Sequence, residues 1–171
     1  MAEVYNSGDD IVVVGDDWLR QLKEAAAATP LRRARLCLHR SVTDPIQEMV
    51  IALIADALFP PHRHPDKTES YHVVEGELYV LIFDDDGRPR RAIFMTRPGG
   101  GGAFCYRLSI PAWHAVVPAS DCVVLHEVTT GPFLPGQRNV APWAPTEAEA
   151  LRRFLRKSLD EALHRHAVDP C

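Results

Sequence analysis

Short apolar runs separated by turn residues fill the middle of the chain, from about residue 35 to residue 128. The runs are rich in Val, Ile, Leu, Phe and Tyr, and clusters of Gly, Pro and Asp interrupt them. Runs of this length and spacing are typical of strands in an all-β sandwich or barrel. The pattern predicts hairpin turns at 75–76 and 84–87. It predicts strands at 46–54, 69–74, 77–83, 90–95, 104–110, 113–117 and 121–128.

Other elements flank this β region on both sides. IVVV at 11–14 predicts a short strand, and DDWLRQLKEAAAATP at 16–30 predicts a helix. TEAEALRRFLRKSLDEALHRH at 146–166 carries one apolar stripe, as an amphipathic helix does. That stripe either packs on the β core or pairs with another subunit. We predict a single domain with three parts: an N-terminal strand and helix extension (1–34), a β-barrel (35–145), and a C-terminal helix and tail (146–171).

The strand at 77–83, ELYVLIF, is apolar on both faces. Leu78 and Val80 share one face, and Tyr79 and Leu81 share the other, because side chains alternate along a strand. A strand buried on both sides belongs in the middle of a layered structure or under a subunit contact. The pattern is therefore a first indication of a homodimer.

Composition and charge narrow the class of protein. The chain has 171 residues, 46% of them hydrophobic and 25% charged, which is normal for one globular domain. Such a chain buries about 70% of its unfolded surface and folds without a structural metal, so a metal here would be functional. The net charge of −4 and the pI near 6.0 argue against a nucleic-acid partner.

The cysteines, the N-terminal segment and the length of the apolar runs all indicate the same cellular compartment. The four cysteines are scattered without a C-x-x-C pair, which is typical of a reducing compartment. The N-terminus, MAEVYNSGDD, lacks the charged region and the apolar core of a signal peptide. The longest apolar runs are far too short to span a membrane. We expect a cytoplasmic protein with no membrane partner.

The stretch PPHRHPDKTESYHVVEG, residues 60–76, contains a candidate metal site. His62 and His64 are one residue apart, so on an extended strand both imidazoles point to the same face. The loop PDKT allows the chain to return with Glu69 at the start of the next strand, facing the two histidines. On that strand His72 has the opposite parity, which excludes it as a ligand.

A fourth ligand should come from a distant strand. His114, at the start of a strand just after a proline, is the best candidate, and His126 is the second choice. Imidazole and carboxylate ligands suit one divalent ion of Zn, Fe, Mn, Ni or Co without choosing among them. Because no sulfur ligand is present, we expect a site with positions open to water or substrate rather than a closed structural zinc site.

The spacing H-x-H-x4-E-x6-G, formed by His62, His64, Glu69 and Gly76, resembles the first metal motif of the cupin superfamily. The resemblance implies a mainly β fold, a double-stranded β-helix in which two antiparallel sheets form a small jelly-roll-like barrel. The helices predicted at the N-terminal and C-terminal ends would flank that barrel. The resemblance also implies that one metal ion lies inside the barrel. A later histidine, whose position His114 matches, would be its fourth ligand.

A narrower resemblance covers roughly residues 17–148. RRARLCLHRSVTDPIQEMVIAL (32–53), FPPHRHPDKTESYHVVEGELYVLIFDDDG (59–87) and the later HEVTTGPF (126–133) are similar to the WbuC-type cupin-fold metalloproteins of bacterial O-antigen gene clusters. This resemblance implies a bacterial cytoplasmic metalloprotein near surface-polysaccharide biosynthesis. It implies no particular reaction.

Five residues are candidates for binding a substrate. The narrower resemblance includes the Arg-x-Arg of Arg33 and Arg35 and the following His39. Gln47 is a lone polar residue on the strand face of Met49 and Ile51, where it would line a cavity. Lys67, between the metal-site histidines and Glu69, could guide an anionic substrate to the cavity mouth.

Two classes of function fit these residues. An enzyme would use the ion as a Lewis acid in isomerisation, epimerisation or hydrolysis of a sugar, a nucleotide sugar or another anionic metabolite. With iron, two histidines and a carboxylate would instead support dioxygenase chemistry. A non-catalytic module that binds a small molecule through its metal is the other class. The single N-terminal helix is too little for a helix-turn-helix, which disfavours a transcription regulator.

Overall fold

A computed structural model describes residues 3–134 and 139–168, in which the chain forms eleven strands and two helices. The helices are α1 (Asp16–Ala28) and α2 (Ala148–Val168). The strands are, in chain order, β1 (Glu3–Asn6), β2 (Arg33–Cys37), β3 (Ile46–Ile54), β4 (His62–Arg63), β5 (Glu69–Glu75), β6 (Glu77–Phe83), β7 (Pro89–Thr96), β8 (Cys105–Leu108), β9 (Trp113–Pro118), β10 (Cys122–Thr130) and β11 (Asn139–Val140).

The strands form two sheets that face each other. The six-stranded sheet has the order β1-β2-β3-β10-β5-β8, and the five-stranded sheet has the order β11-β4-β9-β6-β7. Neighbouring strands run antiparallel, except for the parallel pair of β1 and β2. Apolar residues of both sheets, among them Leu53, Val73, Leu78 and Val80, pack between them. The predicted mainly β architecture with a helix near each end is confirmed.

Helix α1 covers the outer face of the six-stranded sheet at β2 and β3. Leu22 and Ala26 of the helix pack with Ala34, Leu36 and Ala52 of the strands. Because side chains alternate along a strand, covering this face sends the other residues of β2 toward the space between the sheets. The two arginines of β2 are among the residues turned inward in this way.

Helix α2 covers the outer face of the five-stranded sheet. Leu78 and Val80 of β6 face the core between the sheets, whereas Leu81 and Phe83 pack with Leu155 of α2. The two-sided burial of β6 therefore arises within one chain and needs no subunit contact. The homodimer stays a prediction that this strand does not support.

The predicted strand at 11–14 is wrong. Ile11 and Val13 are 83% and 77% exposed, and the segment pairs with no described strand. The sheet edge is occupied instead by β1, which pairs with β2 and anchors Tyr5 edge-on against Trp18 of α1. An apolar run without a neighbouring strand cannot satisfy its backbone in a sheet, so this one stays irregular.

Gly76, the glycine of the metal-site motif, makes the tight turn between β5 and β6. Its φ of +77° lies in the left-handed region, which glycine adopts at no steric cost. A Cβ at this position would lie 2.1 Å from the carbonyl oxygen of Cys122. The glycine is thus required by a close backbone approach at this turn.

Of the helices in the described part of the chain, none is long and apolar enough to cross a membrane.

Candidate metal centre

Four side chains converge between the two sheets: His62, His64, Glu69 and His114. One ligand atom from each lies within 4.8 Å of the others. The His114 Nε2 atom lies 3.2 Å from Glu69 Oε1, and the His64 Nε2 atom lies 3.6 Å from Glu69 Oε2. The structure therefore brings together the four residues that the sequence predicts as ligands.

The strands position these four residues from opposite walls. His62 of β4 and His114 of β9 are direct cross-strand partners in the five-stranded sheet. Glu69 opens β5 in the six-stranded sheet and points across the gap at them. His64 lies in the loop that connects the two sheets. The turn and loop between β4 and β5 thus carry the chain from one wall of the site to the other.

Backbone carbonyls orient two of the imidazoles. The Nδ1 atoms of His62 and His114 lie 3.0 Å from the carbonyl oxygens of Pro60 and Ala112, respectively. A carbonyl oxygen only accepts, so we assign the proton of each ring to Nδ1. The Nε2 atoms then present their lone pairs to the centre of the group, which is how a metal-binding histidine is usually held.

The electrostatics of Glu69 also fit a metal ligand. Burial alone would raise the pKa of this carboxyl, but hydrogen bonding and charge interaction, with His114 first and with Tyr71 and His64 after it, hold the pKa below its usual value. A hydrogen bond from His114 requires a proton on its Nε2 atom, whereas in the tautomer assigned above the carboxylate and the Nε2 lone pair would repel each other at 3.2 Å. A proton on either atom, or a divalent ion between them, removes that repulsion. Three imidazoles and a carboxylate suit such an ion.

Two further histidines of the strands, His72 and His126, lie outside the group. His72 faces away from the interior and stacks on His126, with the ring centres 5.6 Å apart. The His126 Nε2 atom lies 2.9 Å from a carboxylate oxygen of Glu48 on the same outer face. Strand parity therefore separates His72 from Glu69 as predicted. Of the two candidates for the fourth ligand, the structure places His114 in the group and His126 on the outer face.

A cavity of about 380 Å³ opens beside the group. His62, His64 and Glu69 line it, whereas His114 is fully buried behind them. An ion held by the four residues would have protein on its inner side and the cavity on its outer side. The remaining walls are mainly apolar, and their residues include Leu31, Met49, Ile51, Leu53, Phe59, Val116, Leu125 and Phe133.

Three of the five predicted substrate-binding residues line this cavity. Arg33 and Arg35 enter it from β2, and the Arg33 guanidinium carbon lies 4.6 Å from the centre of the Phe59 ring. Lys67 enters it from the loop before β5. The Lys67 ammonium donates to the carbonyl oxygen of Pro132 at 2.7 Å, and burial lowers its pKa. Lys67 therefore links the loop before β5 to the segment after β10 at the cavity wall.

His39 and Gln47 are not among the described residues that line the cavity. The buried Gln47 side chain donates to the carbonyl oxygens of Ser41 and Asp44, at 3.0 and 3.1 Å. The Nδ1 atom of His39 accepts a hydrogen bond from the backbone N–H of Glu48. Both side chains thus stabilise the connection between β2 and β3.

Replacing Gln47 with alanine is expected to lower the free energy of unfolding by about 1–3 kcal/mol, because two hydrogen bonds of a buried side chain, worth about 0.5–1.5 kcal/mol each, are lost. Metal content should stay unchanged. Urea denaturation measures the loss of stability. Gln21→Ala, on the exposed face of α1, is the matched control and should change stability by less than about 0.5 kcal/mol. Unchanged stability together with weaker ligand binding in Gln47→Ala would contradict the structural role.

Sequence reasoning missed three polar residues on the cavity wall: Tyr71, Glu127 and Thr129. Glu127 of β10 lies directly across from Tyr71 of β5, and Thr129 lies across from Glu69. Burial, followed by the charge of Glu69, raises the pKa of Tyr71 well above its usual value. Alternation along β10 was the available signal, since Glu127 shares its face with the buried Leu125.

The two-sheet barrel and its enclosed His/Glu group define a cupin-fold protein with a candidate metal centre. An oxalate oxidase is 18% identical to this chain, with 77% of this chain and 74% of that one covered and a TM-score of 0.50. A protein from Shewanella oneidensis is 11% identical, with coverage of 73% and 81% and a TM-score of 0.54. The chain has the cupin fold that these structures share.

A cupin-superfamily sugar phosphate isomerase from Silicibacter pomeroyi is 22% identical over 52% of each chain, with a TM-score of 0.41, which is too low to support an inference. Among sequence families, a domain of unknown function, DUF6016, matches residues 14–95, a little under half of the chain. Comparison with curated proteins found no match.

Proposed function

We propose that the protein binds one divalent metal ion through His62, His64, Glu69 and His114 and uses it to act on a small polar or anionic metabolite. The observation that carries this proposal is the position of the four residues, three of which open onto a cavity of about 380 Å³. A bound divalent ion would supply Lewis-acid polarisation of a carbonyl or hydroxyl oxygen.

Other groups of the chain would orient the ligating histidines, limit the access of water and attract the metabolite. Nδ1 contacts to backbone carbonyls hold His62 and His114 in the ligating orientation. Apolar walls limit the access of water to the bound ligand, and the cations of β2 attract negative charge into the cavity. Glu127 and Tyr71 offer polar groups beside the ligand, at positions suited to receiving or donating a hydrogen bond.

We further propose a sugar or nucleotide sugar of surface-polysaccharide metabolism as the metabolite and the cytoplasm as the location. Support for both comes from the resemblance to the WbuC-type proteins over roughly residues 17–148. An isomerase or epimerase reaction would fit Lewis-acid activation of a sugar hydroxyl or carbonyl. A non-catalytic binding module and an iron-dependent dioxygenase are the alternatives that the following experiment separates.

Purified protein should be stripped of metal, reloaded in parallel with zinc, manganese and ferrous iron, and assayed on sugars, sugar phosphates and nucleotide sugars. NMR of the metabolites and an oxygen electrode give the two readouts. We expect turnover that requires metal and returns on reloading. Oxygen uptake with iron alone would identify a dioxygenase, and metal-dependent binding without turnover would identify a binding module. Turnover or binding that is the same with and without bound metal would contradict the proposal.

A further inference from the structure

Three side chains interact on the outer side of the five-stranded sheet, behind the metal group: Arg63, Trp113 and Asp85. The Arg63 guanidinium carbon lies 4.2 Å from the centre of the Trp113 ring. The Trp113 Nε1–H donates to Asp85 Oδ1 at 3.0 Å, and Arg63 Nη1 donates to the same oxygen at 3.4 Å. This outer cluster therefore connects β4, β9 and the turn after β6.

Two members of the outer cluster are sequence neighbours of metal ligands. Arg63 separates His62 from His64, and Trp113 immediately precedes His114. Because side chains alternate along a strand, the inward position of His62 and His114 turns Arg63 and Trp113 outward. A displacement of the backbone at Arg63 or Trp113 would therefore move three of the four candidate ligands.

Strand β4 shares few backbone pairs with its neighbours. It has two residues, whereas an average strand has about five or six. Among the described residues, His62 and His114 are the only partners that β4 and β9 share. The other neighbour of β4, strand β11, is equally short. Cross-strand side-chain contacts such as that between Arg63 and Trp113 therefore matter more for the position of β4 than for that of a long strand.

Asp85 belongs to the turn between β6 and β7, and this turn has hydrogen bonds of its own. The Asp84 carboxylate accepts from the backbone N–H groups of Asp86 and Arg88, at 3.0 and 2.8 Å. Strand β6, which leads into the turn, pairs with both β7 and β9. Asp85 thus connects Arg63 of the short strand to a part of the sheet that is held in place independently.

Solvent exposure distinguishes a positioning role from a purely stabilising one. The Asp85 side chain is exposed and that of Arg63 is partly exposed, and ion pairs at such positions contribute little to stability. Replacing either residue should therefore leave the barrel folded. Trp113 is buried in the apolar cluster under α2, so a test of the outer cluster should leave it unchanged.

We propose that the outer cluster positions His62, His64 and His114 for metal binding, and that Arg63 and Asp85 act as positioning residues. This inference rests on the proposed function, because it requires that the three histidines are ligands. Hydrogen-bond partners of metal ligands contribute about tenfold to a hundredfold to metal affinity. The outer cluster acts through the backbone, one step further from the ion, so we expect an effect at the lower end of that range.

The charge of Arg63 makes the expected result specific. A cation near a divalent ion repels it, so the loss of that charge alone would raise the metal affinity or leave it unchanged. A positioning role has the opposite sign, and Arg63→Met should lower the affinity about tenfold. Asp85→Ala removes the shared acceptor and should give a similar loss. Arg63→Lys keeps a cation over the Trp113 ring and should stay within about threefold of the unchanged protein.

Titration of cobalt(II) into metal-stripped protein gives two readouts. Competition with a chelating indicator measures the affinity, and the visible absorption of bound cobalt reports its coordination geometry. We expect the absorption spectrum to change in Arg63→Met and Asp85→Ala and to return in Arg63→Lys. Urea denaturation of the metal-free variants should show that all of them are folded, with little change in the midpoint.

Arg90→Met is the matched control. Arg90 Nη2 lies 3.0 Å from Asp84 Oδ2, so this variant also removes an arginine from an arginine–aspartate pair at the same turn. The pair joins β7 to the turn and contains no sequence neighbour of a metal ligand. The control should bind cobalt within about twofold of the unchanged protein and with the same spectrum.

The outcomes separate this inference from the proposed function. Unchanged or higher affinity in Arg63→Met overturns the inference alone, and so does an equal loss in Arg90→Met or a lack of recovery in Arg63→Lys. If Arg63→Met does not fold, unchanged affinity in Asp85→Ala, at its exposed turn, overturns the inference. Failure of the unchanged protein to bind cobalt, or equal binding by His64→Ala, contradicts the proposed function and the inference together.

Discussion

His64→Ala is expected to lower the affinity of the protein for its divalent ion by at least about a hundredfold. Residues that only orient a ligand contribute about tenfold to a hundredfold to metal affinity, so the loss of a ligand itself should exceed that range. The metal-free protein should lose about 0.5–1.5 kcal/mol of stability, since the His64 side chain is only 12% exposed and its Nε2 atom lies 3.6 Å from the Glu69 carboxylate. Elemental analysis and competition with a chelating indicator measure the affinity.

His72→Ala is the matched control for this experiment. His72 is close to the ligands in sequence, but it lies on the outer face of β5 and stacks on His126. The control should retain metal at the level of the unchanged protein. Full metal content in His64→Ala, or equal losses in both variants, would contradict the ligand assignment.

Leu155→Ala in α2 is expected to lower the free energy of unfolding by about 2–5 kcal/mol, as large-to-small changes in a packed core do. Leu155 is only 3% exposed and packs with Leu81 and Phe83 on the outer face of β6. Its loss would leave a cavity under the helix. Urea denaturation, repeated at several protein concentrations, measures the effect.

Leu163→Ala tests the same helix at a position that is 40% exposed and should cost less than about 1 kcal/mol. Similar losses in both variants, together with a denaturation midpoint that depends on protein concentration, would mean that α2 pairs with a second subunit. The helix would then not act mainly as the cover of its own sheet, and the predicted homodimer would gain support.

Local alternation predicted much of the metal centre. The spacing of His62 and His64, the loop after them and the parity of Glu69 describe positions a few residues apart, where the geometry of the backbone leaves little freedom. The outward position of His72 followed from the same rule. His114 needed more than periodicity, because nothing local connects it with the rest of the group.

What the sequence did not show depends on long-range packing. Alternation tells which residues of β2 share a face, but the cover provided by α1 decides that Arg33 and Arg35 lie on the cavity side, where Arg35 stays exposed to solvent. Two arginines interrupt the apolar pattern of RARLC, so that pattern alone predicts no strand there. Likewise, a lone polar residue such as Gln47 suggested a cavity wall, whereas a turn that could not be foreseen placed two carbonyls beside it.

The ligands of the candidate site come from both walls of the barrel: Glu69 from one sheet, His62 and His114 from the other. An ion held there would link the two sheets, and its binding affinity would depend on the distance between them. By linkage, whatever favours that spacing also favours the ion, and a tightly bound ion stabilises the folded barrel in proportion to the logarithm of its concentration. Core substitutions far from the site would then change metal selectivity, and the metal supply of the cell would influence how long the protein persists.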